Sequence, residues 1–94
     1  MNTLFPPDQA FSLSSGVIVT QVDGESVLLD SDKGQYFGLN GTGTQILELI
    51  EKHQHYSKIC EKLAEKYPDN LPEINADVSE LLSNLLDQQL ISQL

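Results

Sequence analysis

The sequence predicts an α+β domain in which a three-stranded antiparallel sheet is followed by three helices, a winged helix-turn-helix-like order. Three observations carry this reading. Short β-branched runs are punctuated by Asp23-Gly24 and by Ser31-Asp32-Lys33-Gly34. After Asn40 the apolar residues recur at helical spacing. Pro68-Asp69-Asn70 then divides the helical region a second time, because proline cannot continue a helix interior.

Residues 1–15 hold Pro6-Pro7 and a polar run without periodicity, and read as a flexible arm with Leu4, Phe5 and Phe11 as docking side chains. The domain proper spans residues 16–94. Val17 to Val22 and Glu25 to Asp30 flank Asp23-Gly24, a hairpin signal, since a tight two-residue turn needs positive φ. A second turn leads into Gln35-Tyr36-Phe37-Gly38-Leu39, the third strand of a meander. Asn40 is the expected N-cap of a first helix carrying Ile46, Leu47 and Ile50. Ser57 is the expected cap of a second helix that places Ile59, Leu63 and Tyr67 on one face. A third helix, from about Glu73 to Gln88, repeats Ile74, Val78, Leu81, Leu82, Leu85 and Leu86, and Leu90-Ile91 packs the tail back.

Ninety-four residues allow one small domain. Fourteen acids face five lysines and no arginine, for a net charge of −9, which disfavours nucleic acid and anionic membranes as partners. The single cysteine permits no internal disulfide and suits a reducing compartment. With no signal-peptide pattern and no long apolar run, the expected location is cytoplasmic.

The glycine-rich stretch Gly34 to Gly43 fails both phosphate templates. Gly38 and Gly43 have the P-loop gap, but Thr44-Gln45 follow in place of lysine and Ser/Thr; Gly41 and Gly43 begin a dinucleotide fingerprint that Ile46 ends. His53, His55 and Cys60 supply three metal-ligand types where structural zinc takes four, so no metal or cofactor is expected. Nothing points to an enzyme: there is no arginine, no carboxylate pair sits in an apolar setting, and Cys60 falls on a core-type helical face. The third helix carries Glu73, Asp77, Glu80 and Asp87 and no base, which argues against a DNA-recognition helix.

Two features remain. The strand Gln35 to Leu39 is a poorly protected edge, and the third helix has an apolar stripe wider than one small sheet requires. Together they form a groove for an extended peptide. A core-and-dimer use of both features stays open.

The run Val27-Leu28-Leu29-Asp30, then Gly34-Gln35-Tyr36-Phe37-Gly38-Leu39-Asn40 and Thr42-Gly43, with Asp77-Val78, Leu81-Leu82, Leu85 and Leu90-Ile91, resembles the PqqD-like proteins. The resemblance covers roughly residues 16–91. It implies a winged helix-turn-helix-like domain that binds no DNA, and a non-enzymatic adaptor that captures the leader of a ribosomally made precursor peptide by strand addition. The leader would pair with Gln35, Tyr36, Phe37, Gly38 and Leu39. Val78, Leu81, Leu82 and Leu85 would line the cleft, with Asp77 as a polar anchor. The implied partner is a peptide-modifying enzyme of radical, cyclising or protease type. Two positions depart from the pattern: Leu47 replaces the frequent aromatic of the first helix, and Gln89 the frequent glycine before Leu90-Ile91. The alternatives are a winged-helix DNA-binding regulator and a homodimeric scaffold using the same edge strand.

Overall fold

The computed structural model describes residues 5–94, the side chain at position 71 excepted; Leu4 lies outside the described residues. The elements run β1 (Phe11–Leu13), β2 (Val17–Val22), β3 (Glu25–Asp30), β4 (Gln35–Leu39), α1 (Gly41–His53), α2 (Tyr56–Lys66), a 3₁₀ turn (Pro68–Asn70), α3 (Leu71–Asp87) and β5 (Ile91–Gln93). The expected α+β order of meander and three helices is present, and a second sheet joins the two ends of the chain.

The meander is antiparallel, in the order β2-β3-β4. At its first turn Asp23 and Gly24 both have positive φ, 55° and 81°, the conformation a two-residue hairpin needs. At its second, Asp30 is buried and its Oδ1 accepts hydrogen bonds from the N–H groups of Asp32 (3.0 Å) and Lys33 (3.2 Å). One face of the sheet, with Ser26, Leu28 and Asp30 of β3, is buried; the other is open.

Asn40 caps α1 as its position suggests: its Oδ1 accepts from the Gly43 N–H at 2.9 Å. Gly43 is needed for close approach. A Cβ there would stand 3.2 Å from the Leu39 side chain, so glycine lets the first turn of α1 lie against the end of β4. A buried Ser26–Thr44 hydroxyl pair at 2.7 Å ties α1 to β3.

Residues 1–15 depart from the expected flexible arm where they are described. Phe11–Leu13 pairs antiparallel with Ile91–Gln93, and Phe11 is fully buried, with the Phe5 ring edge-on at 5.1 Å. The arm also replaces the expected cap of α2. Pro7 and Gln9 offer their carbonyls to the N–H groups of Ser57 (2.9 Å) and Tyr56 (2.8 Å), so these two free donors of the first turn are satisfied by backbone. Ser57 is therefore inside the helix and His55 is the N-cap, without a side-chain bond. Tyr67, expected on the buried face, lies beyond the helix end and is 37% exposed.

The helix α3 ends in a Schellman motif. Leu90 N–H donates to the Leu85 carbonyl and Gln89 N–H to that of Leu86, both at 2.9 Å, and Gln89 takes φ 61°. This is the left-handed position that glycine occupies without strain. The motif turns buried Leu90 and Ile91 onto the core.

Candidate functional site

Among the described residues β4 pairs within its sheet with β3 alone, so alternate residues of β4 direct their N–H and C=O groups away from the sheet. Beside this edge, α3 packs on α2 and β5, while β4 packs on β3 and α1. The space between them is a cleft of about 380 Å³.

Its floor is apolar, made of Leu39 and Ile46, both nearly buried. Half-buried Phe37 and Leu81 form the walls. Asp77, Glu80 and Asn84 of α3 line the cleft with Asn40, Thr42 and Gly43 at the α1 entry. Asp77, Glu80, Leu81 and Asn84 follow i, i+3, i+4, i+7 spacing, one stripe of a helix. Among the described residues Asp77 and Glu80 border the cleft and no lysine does, so its local charge is negative. An apolar floor under a polar acidic rim, next to open backbone groups, can hold an extended peptide with alternate side chains inward.

The structure brings Phe37, Gly38, Leu39, Asp77 and Leu81 together around this cleft. Gln35 lies at the far end of β4, opposite Asp30, and Tyr36 projects from the open face at 76% exposure. Val78, Leu82 and Leu85 do not line the cleft. Each is fully buried, with Ile74, on the core side of α3. The wide apolar stripe read from the sequence is thus mostly core, and Leu81 sits at its border. Asn40, Thr42, Gly43, Ile46, Glu80 and Asn84 were not expected as site residues. The i, i+3, i+4, i+7 relation of Glu80 and Asn84 to Asp77 and Leu81 was the available signal for two of them.

Among the described residues, no three His, Cys, Asp or Glu side chains converge to hold a metal. Cys60 is half-buried, and burial pushes its thiol pKa up against a smaller opposing effect of a hydrogen bond with Tyr56. No helix among the described residues is long and apolar enough to cross a membrane.

The family model of coenzyme PQQ synthesis protein D (PqqD) matches residues 25–91. Among solved structures, that of TbiB1 in complex with the TbiA(beta) leader peptide is similar to this chain with a TM-score of 0.78. The two are 29% identical, and the match covers 85% of this chain and 93% of that one. No curated protein matches.

Proposed function

The chain belongs to the PqqD family, and on that premise we propose that it is a non-enzymatic adaptor that binds the leader of a ribosomally made precursor peptide. The leader adds a strand to β4, its inward side chains enter the cleft against α3, and the core peptide is held for a separate modifying enzyme. The observation that carries this reading is the open β4 edge beside a cleft with an apolar floor and a polar acidic rim, in a fold similar to one solved with a leader peptide bound.

The energetics suit a reversible adaptor. A short added strand with two or three buried anchors binds in the nanomolar to micromolar range once ordering costs are met. The acidic rim formed by Asp77 and Glu80 favours a leader with a basic residue nearby. The same acids oppose DNA: α3 carries Glu73, Asp77, Glu80 and Asp87 and no lysine, so it would repel a phosphate backbone. The partner enzyme, of radical, cyclising or protease type, acts on the part of the precursor outside the cleft.

Calorimetric titration with leader segments of ribosomally made precursor peptides tests the proposal. Saturable one-to-one binding at or below micromolar Kd is expected. No binding at millimolar peptide, or tight sequence-specific binding of duplex DNA at physiological salt, would overturn it.

A further inference from the structure

In a strand added to β4, side chains alternate between the two faces, so half of them turn away from α3 onto the open face of the sheet. That face is mostly apolar, with Thr20 and Glu25 among its aliphatic residues. Ile18 is 53% exposed, Val22 63%, Val27 40% and Tyr36 76%. The strand registers set Ile18, Leu29 and Tyr36 in one cross-strand row and Thr20, Val27 and Gly38 in the next. The second row therefore reaches the free edge in a glycine.

The fold does not require glycine there. A Cβ built on Gly38 meets nothing within 4 Å, and its φ is not positive. The missing side chain opens one side of a hollow of about 430 Å³, bordered also by Thr20, Val22 and Val27. Gly38, Leu39 and Asn40 border both this hollow and the cleft, so the two flank the same end of β4.

We propose, resting on strand addition at β4, that this hollow is a second side-chain pocket of the peptide site and takes an aromatic residue of the leader. Adjacent strands lie about 4.8 Å apart, which puts Val27 roughly 10 Å from an added strand. A short side chain stops above Gly38. A phenyl or phenol ring laid flat over the bare glycine reaches the Val27 methyls, as aromatic residues do beside strand glycines. Asp23 and Glu25 close the turn end of the hollow, which excludes an acidic occupant. The site thus reads the leader on both faces, with apolar anchors in the cleft and a ring over Gly38.

The test uses the whole chain and a displayed library of random linear peptides. Selection on the native chain is expected to enrich peptides with an aromatic at one position of the outward set, and alanine there should weaken binding about tenfold. Binding should also move the Val27 methyl resonances by the ring current. In Gly38→Val, which closes the hollow, and in Val27→Lys, which removes its floor, the same alanine exchange should matter about threefold or less, the level of ordinary cross-strand contact. Both variants fold on this account, because position 38 has room and Val27 is exposed. An unchanged tenfold effect in both, or unmoved Val27 methyls, overturns the pocket but leaves strand addition standing if Leu81→Ala still weakens binding. Peptides indifferent to Leu81→Ala as well, or no enrichment at all, overturn both.

Discussion

Replacing Leu81 by alanine separates the proposed peptide cleft from the core on which it is built. Leu81 is half-buried and forms a cleft wall, whereas Leu82, its chain neighbour, is fully buried. A half-buried leucine leaves on the order of 40 Å² of apolar surface for a bound side chain to cover, and that side chain loses about as much. At ~25 cal/mol/Å² the combined area is worth ~2 kcal/mol, about thirtyfold in Kd. Stability should change less, by about 1 kcal/mol, since part of the side chain already faces water. Leu82→Ala should do the reverse. It empties a closed core position and costs about 2–5 kcal/mol of stability, with affinity nearly unchanged for the molecules that stay folded. Calorimetry with the leader and urea denaturation of both variants measure the two effects. Native affinity in folded Leu81→Ala, or a larger affinity loss in Leu82→Ala at equal folded fraction, would refute the placement of the cleft.

Three further outcomes follow from local geometry. Gln89→Gly should raise stability by about 0.5–1 kcal/mol, because Gln89 holds φ 61° at the end of α3; a loss in urea denaturation would mean that its hydrogen bond with the Lys33 ammonium group outweighs the strain. Asn40→Ala should cost about 1 kcal/mol by leaving the Gly43 N–H without its 2.9 Å acceptor, read as a lower midpoint with an unchanged m-value. Burial raises the Cys60 pKa, so the fold favours the neutral thiol and the thiolate appears only at higher pH than for an open cysteine. The pH profile of its alkylation should be displaced upward, and one at or below that of a free cysteine would contradict this.

Short-range chemistry made most of the fold legible. Asp23-Gly24 announced its hairpin and Asn40 its helix cap, because both act within three or four residues of themselves. The strand β1 gave no such sign. Three residues cannot show a period, and its partner lies at the other end of the chain, Phe11 opposite Gln93. The cap of α2 was misread at Ser57 for the same reason, since its acceptors are the distant carbonyls of Pro7 and Gln9.

For the site, the strand and the helix were readable, but the division of α3 between core and cleft was not. Val78, Leu82 and Leu85 look like groove residues until Leu90, Ile91 and the second sheet are seen to share the core with them. Glu80 and Asn84 look like solvated helix positions until β4 stands across from them. Gln89 was visible as a departure from the family pattern, yet its meaning needed the backbone angle.

Strand addition on β4 is the central claim, and amide hydrogen exchange of the chain with and without its leader peptide, resolved by NMR, tests it most directly. The account predicts that the outward N–H groups of β4, between Gln35 and Leu39, become protected on binding, with inter-strand contacts between peptide and β4 amides. Saturating peptide that leaves the β4 amides exchanging freely, with protection elsewhere on the chain, would contradict it.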